Sequence, residues 1–163
     1  MEQTVNYLIK KGNHDSGFHV HFTMDNQLTA DGILTDSCIY DLNDPQLQSD
    51  TNKFFGLSDN LYHEWDSARI GWRYYENKLE VMGYSRVDGQ HYEQHLAFVE
   101  PNVSYRYSVK ILDGEYQYWI NDQYITHQRT SKYNFVRYWL YPYFGGTSVA
   151  PHDMLIKLDY ILL

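Results

Sequence analysis

The sequence has few of the features that would place it outside the globular β class. It contains one cysteine, Cys38, so no internal disulfide can form. No apolar run is long enough to span a membrane as a helix. Helical periodicity is nearly absent, and residues 50–55 are the only segment for which we predict a short helix or turn. We therefore expect strands to dominate and the membrane to play no part.

The first residues also lack the pattern of a signal peptide. Met1, Glu2 and Gln3 lead directly into a predicted strand, without the charged and apolar regions of a signal peptide. This observation is compatible with more than one cellular compartment. The chain is secreted or periplasmic if a leader has been removed, and cytoplasmic otherwise.

Positive charge is scarce. The net charge is −8, which argues against nucleic acid as a partner. The segment from Asp25 to Asp66 holds nine acids and one base, Lys53, whereas the remainder carries twelve acids and twelve bases. We predict that this acidic segment is a solvated surface loop, with a cation site as the alternative.

What the sequence does contain is a series of short alternating segments separated by Gly, Asn and Asp. Many antiparallel strands at this spacing are typical of a two-sheet sandwich or a barrel. We predict one domain over residues 1–163. The predicted strands are Thr4–Lys10, Gly17–Met24, Ala68–Tyr75, Lys78–Val87, Gln94–Val99, Ser104–Leu112, Glu115–Ile120, Tyr124–Arg129, Val136–Tyr143 and Met154–Leu162.

Aromatic residues are abundant, with 17 Tyr, 7 Phe and 4 Trp. Most such rings fill a core or pair across strands. Aromatic faces on a β domain also pack against the C–H face of a pyranose, so the composition favours a sugar as ligand.

The clearest alternation runs from Ser67 to Arg73. Ile70 and Trp72 should face the core, which leaves Arg69 and Arg73 on the open face, about 7 Å apart. Paired guanidinium groups suit carboxylates. In the strand Gln94–Val99 we predict that Leu96 and Phe98 are buried and that Ala97 is open. The open face as a whole is predicted to carry Arg69, Arg73, Glu80, Tyr84, Arg86, His95, Arg137, Trp139, Tyr141 and Tyr143.

The order of motifs resembles that of bacterial β-sandwich domains in the concanavalin A-like lectin/glucanase superfamily. The residues that carry the resemblance are Phe54–Asp59, Ser67–Arg73, Tyr141–Gly146 and Ala150–Asp153. The resemblance implies a jelly roll of two antiparallel sheets, with any glycan on the concave sheet. It also implies a structural calcium ion, for which Asp153 or the loop Asp41–Asp44 would supply oxygens.

Two catalytic branches of that superfamily can be compared with the chain. The glucanase pattern Glu-x-Asp-x-x-Glu is matched from Glu64 onwards, but Arg69 replaces its last acid. The alginate-lyase-like pattern Arg-x-Glu-x-Arg is matched with Gly71 in place of Glu, and its late strand is matched from Tyr143 with Gly145 in place of Lys. Arg69 or Arg73 would neutralise a uronate carboxylate, Tyr143 would act as acid or base, and His95 would be the second proton-transfer group.

These observations predict a lectin-like domain that binds a polysaccharide or oligosaccharide on the open sheet. The alternatives are a polysaccharide lyase that acts on uronic-acid polymers and a non-catalytic interaction module. Whether the protein is an enzyme is left open, because both catalytic patterns are incomplete.

Overall fold

A computed structural model describes residues 2–162 of the chain, apart from the side chains of Glu2 and Gln3. Nearly all of the regular structure is strand. The twelve strands are β1 (Glu2–Ile9), β2 (Phe22–Thr23), β3 (Gln27–Leu34), β4 (Asn52–Ser58), β5 (Ser67–Tyr75), β6 (Lys78–Val87), β7 (Gln90–Val99), β8 (Tyr105–Leu112), β9 (Glu115–Ile120), β10 (Gln123–Gln128), β11 (Arg137–Leu140) and β12 (Met154–Ile161).

The strands form two antiparallel sheets of six strands each. Sheet A has the order β1-β12-β3-β8-β9-β10, and sheet B has the order β2-β11-β4-β5-β6-β7. This arrangement confirms the predicted all-β sandwich. Within residues 2–162, no helix is long and apolar enough to cross a membrane.

Tight turns connect the neighbouring strands where the sequence predicts them. Glu76 and Asn77, between β5 and β6, have φ values of 51° and 61°. Asp88 and Gly89, between β6 and β7, have φ values of 52° and 79°. Two-residue turns with positive φ match the twist of the flanking strands, so these residues fix the pairing of β5, β6 and β7.

The core lies between the sheets and is rich in aromatic rings. Phe54 of sheet B packs edge-on against Tyr107 of sheet A, with ring centroids 5.2 Å apart. Ile70 and Trp72 are fully buried in the same core, as the alternation in β5 predicts. The opposite side chains of β5 therefore point away from sheet A.

The acidic segment is more structured than predicted. It contains two strands, β3 and β4, of which Leu28, Ala30 and Leu34 are buried. The expected turn at residues 50–55 is wrong, because a single helical turn, α1, occupies Pro45–Gln48 and β4 begins at Asn52. Asp44 caps α1 by accepting hydrogen bonds from the Gln46 and Leu47 N–H groups.

The predicted strand Gly17–Met24 is mostly irregular. Only Phe22 and Thr23 pair with β11, opposite Tyr138 and Arg137.

Candidate functional site

A cleft of about 270 Å³ lies on the open face of sheet B, the face directed away from sheet A. Strands β4, β5 and β6 form its floor, and the segments 59–66 and 141–146 form its walls. The lining residues are Lys53, His63, Glu64, Arg69, Tyr84, Arg86, Tyr143, Gly145 and Gly146. We refer to this set as the cleft.

Arg69 lies at the floor of the cleft. It is placed there by the alternation of β5, opposite Tyr84 on β6 and Gly56 on β4. A Cβ atom at Gly56 would approach the Ala68 carbonyl oxygen to 2.2 Å and Arg69 Cγ to 2.9 Å, so glycine is what allows the arginine stem to lie against β4. Only 8% of Arg69 is exposed, and burial lowers the pKa of its guanidinium.

Arg69 lacks the partners that a buried guanidinium normally has. Its Nε has no hydrogen-bond partner among the described residues. No acidic side chain of residues 2–162 lies within ion-pair distance of it. The cleft therefore holds a desolvated cation that the protein does not neutralise by contact.

Two further cations line the cleft. The Lys53 ammonium donates to the Gly145 carbonyl oxygen at 3.3 Å and sits 4.8 Å from the centre of the Tyr84 ring. Burial, together with the positive charges of Arg69 and Arg86, lowers the pKa of Lys53 from 10.5 to about 8. Arg86 contacts the Glu64 carboxylate at 3.3 Å, and Glu64 is the one acid in the lining.

Groups that can exchange protons also meet at the cleft. His63 Nδ1 lies 2.8 Å from the Tyr138 hydroxyl, and its Nε2 lies 3.2 Å from Glu64. Burial, followed by the charge of Arg69, lowers the pKa of His63. The Tyr143 ring stacks on His14, with centroids 5.0 Å apart. A histidine held between Tyr138 and Glu64 can take part in proton transfer.

Arg73, the second arginine of β5, has a different environment. Its Nε donates to Glu80 at 2.6 Å, and its Nη1 donates to the Ser49 carbonyl oxygen at 2.8 Å. The other oxygen of Glu80 lies 2.8 Å from His95 Nδ1. Arg73, Glu80 and His95 thus form a chain of paired groups on the open face, outside the cleft lining.

Three of the residues predicted for the open face lie elsewhere. Arg137 and Trp139 face the interior, where they are 1% and 7% exposed. Trp139 packs against Tyr160 of sheet A with centroids 4.5 Å apart, and Tyr141 contacts Tyr7 of the same sheet. The error has a physical cause: an interior acid, Asp59, pairs with Arg137, so this arginine is not driven to the surface.

A bulge in the pairing of β6 with β7 corrects a second expectation. Val81 pairs with Ala97 and Met82 pairs with His95, so Leu96 is an extra residue in β7, and the β7 residues that follow it lie on the face opposite to the one that strict alternation predicts. Phe98 is therefore 54% exposed rather than buried, and its ring contacts His95 at 4.7 Å. Ala97 packs against the core, whereas Leu96 is buried as predicted.

The structure thus brings Arg69, Tyr84, Arg86 and Tyr143 together, as predicted, and leaves His95 outside the cleft. Sequence reasoning missed Lys53 and His63 as site residues. Lys53 could have been found, because it is the only base between Asp25 and Asp66. His63 lies in a segment without periodicity, so no pattern pointed to it.

The carboxylates named for calcium have structural partners. Asp153 accepts a hydrogen bond from the Lys11 N–H at 2.9 Å, and Asp41 accepts one from the Asn43 N–H at 2.7 Å. Within the described part of the chain, no group of three or more His, Cys, Asp or Glu residues could hold a metal ion. The calcium ion stays a prediction from the resemblance.

A larger cavity, of about 640 Å³, lies beside the edge strands β7 and β10. Asp88 is the one acid in its lining, and the Thr130 hydroxyl donates to that carboxylate at 2.9 Å. His127 contributes a ring whose Nδ1 lies 2.5 Å from Ser85. This cavity lacks the concentration of cations that distinguishes the cleft.

Comparison with solved structures shows that the chain shares its fold, a jelly-roll sandwich of two antiparallel sheets, with several proteins of known structure. Alginate lyase AlyC3 superposes with a TM-score of 0.61 at 8% identity, over 97% of this chain and 74% of that chain. The same lyase has also been solved in complex with dimannuronate.

Two further structures share the fold. The alginate lyase from Klebsiella pneumoniae gives a TM-score of 0.56 at 12% identity, over 84% of this chain and 58% of that chain. A GH16 protein from the mixed-linkage glucan locus of Bacteroides ovatus, solved with a G4G4G3G product, gives 0.51 at 10% identity, over 98% and 80%. No protein-family model matches the sequence, and no curated protein matches it.

Proposed function

We propose that this domain binds acidic polysaccharides, with a sugar carboxylate held in the cleft on the open face of sheet B. The observation that supports the proposal is the buried guanidinium of Arg69 at the cleft floor, which no acid of the described residues contacts. A carboxylate would accept charge-assisted hydrogen bonds from this group and compensate its buried charge.

The distribution of charge favours an anionic ligand over a neutral one. The chain carries a net charge of −8, yet the cleft is lined by Lys53, Arg69 and Arg86 against the single acid Glu64. A neutral glycan offers hydroxyl oxygens that accept hydrogen bonds from Arg69 but no charge to compensate the buried guanidinium. An acidic glycan supplies that charge, so we expect the cleft to discriminate strongly between the two.

The similar structures favour the same class of ligand. Two of them are alginate lyases, and one was solved with dimannuronate, a disaccharide of sugar acids. At these identities the likeness concerns the fold, and functions differ widely among proteins that share it. The charge of the cleft is what connects this chain to acidic sugars.

A second candidate function is β-elimination of a uronic-acid polymer. The cleft joins Arg69, which would neutralise the carboxylate, with His63 and Tyr143, which would remove and supply protons. The specific observation in its favour is the placement of His63 at the cleft, in contact with both the Tyr138 hydroxyl and the Glu64 carboxylate. A lyase would bind the same ligands, so the two functions differ only in turnover.

Binding to matched oligosaccharides tests the proposal. Calorimetric titration with oligomannuronate and oligoglucuronate should show affinity that weakens with added salt, while a neutral glucan of equal length should bind far more weakly. Equal binding of the neutral glucan, or no binding of any acidic glycan at millimolar concentration, would contradict it. The ultraviolet absorbance of an unsaturated sugar product distinguishes a lyase, and a Tyr143→Phe variant should then lose that signal.

The proposal also predicts a pH dependence that comes from Lys53. In the free protein its pKa is about 8, so half of the molecules lack this charge at pH 8. A bound carboxylate stabilises the ammonium form and raises the pKa. Binding near pH 8 should therefore take up as much as about half a proton, and affinity should fall as the pH rises from 7 to 9.

Calorimetry in two buffers of different ionisation enthalpy measures this proton uptake. A Lys53→Arg variant, which stays charged throughout, is the matched control and should bind without uptake. Equal uptake in the variant and the parent would assign the proton to another group.

The folding stability of the unliganded protein should depend on pH in the opposite direction to its affinity. Between pH 8 and 10.5 the unfolded chain holds the Lys53 proton and the folded chain does not. This group therefore makes the free energy of unfolding rise with pH in that window.

A further inference from the structure

A second concentration of cations lies away from the cleft, where the interior of the sandwich meets the segment 129–137. Arg129 and Arg137 converge on the carboxylate of Asp59. Asp59 is fully buried, and the side chains of Arg129 and Arg137 are 8% and 1% exposed. This cluster has no role in the proposed function.

Arg129 is fully engaged with the protein. Its Nε and Nη2 donate to the two oxygens of Asp59 at 2.7 and 2.8 Å, as a bidentate pair. Its Nη1 donates to the Leu112 carbonyl oxygen at 2.8 Å, and its Nη2 also donates to that of Tyr133 at 2.6 Å. One arginine thus takes up most of the capacity of the Asp59 carboxylate, which in addition accepts from the Tyr116 hydroxyl at 2.7 Å.

Arg137 is only partly engaged. Its Nη2 reaches Asp59 at 3.4 Å and the Tyr133 carbonyl oxygen at 3.1 Å. Its Nε and Nη1, which carry three of the five N–H groups of a guanidinium, are buried and have no partner among the described residues. Buried donors of a charged group are costly to leave unpaired, so the protein does not fully compensate the charge of Arg137.

The charges in contact do not balance either. Two guanidinium groups share one carboxylate, which leaves one positive charge. Asp66 interacts electrostatically with Asp59 and Arg129, but its oxygens accept hydrogen bonds from the Asn60 side chain and the Asp88 N–H rather than from Arg137.

A cavity of about 330 Å³ adjoins these two arginines. Asn26, Lys132 and Asn134 supply further donor groups to its lining, and Asp113, whose carboxylate contacts Lys132 at 3.3 Å, lies at the exposed rim. We propose that this cavity binds a small oxyanion against Arg137, at a site separate from the cleft. Sulfate and the carboxylate of a free sugar acid share the chemistry that the site recognises.

Titration with sodium sulfate, at ionic strength held constant with sodium chloride, tests the site directly. The Arg137 Nε–H signal in a ¹H–¹⁵N spectrum should shift and saturate, and the amides of Tyr133 and Asn134 should shift with it. Glucuronate in a second titration distinguishes a sugar acid from an inorganic ion as the preferred source. Absence of a shift at Arg137 with both probes would overturn the proposal.

Thermal unfolding provides the matched comparison. At about 100 times its dissociation constant the anion should raise the melting temperature by roughly 5–10 °C. The increase should persist in Arg69→Met, which removes the cation of the cleft, and vanish in Arg137→Met, which leaves Asp59 paired with Arg129. Loss of the increase in Arg69→Met and its survival in Arg137→Met would assign the effect to the cleft instead. The spectrum of the parent protein decides the question if Arg137→Met does not fold.

Discussion

Replacement of Asp59 by asparagine is expected to produce the largest loss of stability of any single charge removal in this chain. The carboxylate is fully buried and contacts Arg129, Arg137 and the Tyr116 hydroxyl. Asparagine keeps the volume but removes the charge, so two guanidinium groups remain buried without an acid. Breaking a buried pair in this way costs about 3–5 kcal/mol. At about 2–4 °C per kcal/mol, the melting temperature should fall by roughly 6–20 °C.

Asp113→Asn is the matched control, because Asp113 also pairs with a cation, Lys132, but both side chains are exposed. That change should leave unfolding by urea almost unaltered. A second arginine substitution gives a sharper comparison: Arg137→Met in the Asp59→Asn background should recover part of the loss, since it removes one uncompensated charge. Equal effects of Asp59→Asn and Asp113→Asn would mean that the interior cluster contributes little.

The strands around the cleft follow the rule on which the sequence prediction relied. In β5 the alternation is unbroken, so Ile70 and Trp72 lie in the core while Arg69 lies on the open face. Strand β6 pairs with all of β5 and β4 pairs with residues 67–72, which holds the alternation in place. This part of the fold and three other cleft residues, Tyr84, Arg86 and Tyr143, could be predicted from local sequence alone.

The failures occur where long-range partners decide the outcome. Arg137 is interior because Asp59, 78 positions earlier in the chain, is available to pair with it. The extra residue Leu96 in β7 reverses the expected faces of Ala97 and Phe98, and nothing in the sequence of β7 predicts this bulge. In both cases local periodicity was correct as a pattern but was overridden by a tertiary contact.

The strand β3 was overlooked for a different reason. Asp31 in the strand and the other acids of the segment Asp25–Asp66 favoured a solvated loop, although Leu28, Ala30, Gly32 and Leu34 alternate. Asp31 pairs with Arg106 on the neighbouring strand β8, with a distance of 2.8 Å. A cross-strand ion pair of this kind allows an acid in the middle of a strand. The predicted set of cleft cations was likewise incomplete, because Lys53 was assigned to the same solvated loop.

Arg69→Met is expected to separate binding from stability. A hydrogen bond to a charged group contributes about 1.5–3 kcal/mol, so affinity for an acidic oligosaccharide should fall roughly 10- to 150-fold. Unfolding free energy should stay the same or rise, because the variant no longer buries a guanidinium whose Nε lacks a partner. Titration calorimetry and urea unfolding on the same samples measure the two quantities.

Arg73→Met is the control from the same strand and the same face, and its expected pattern is the reverse. Arg73 is bound by Glu80 and the Ser49 carbonyl oxygen, so its loss should destabilise the fold by roughly 1–3 kcal/mol and change affinity little. The two arginines have the same chemistry and are four residues apart, and only their partners differ. If Arg69→Met instead lowers stability and leaves affinity unchanged, Arg69 braces the sheet and the cleft is not the binding site. If Arg69→Met lowers only affinity and Arg73→Met lowers only stability, the binding energy comes from Arg69, the arginine that no acid contacts.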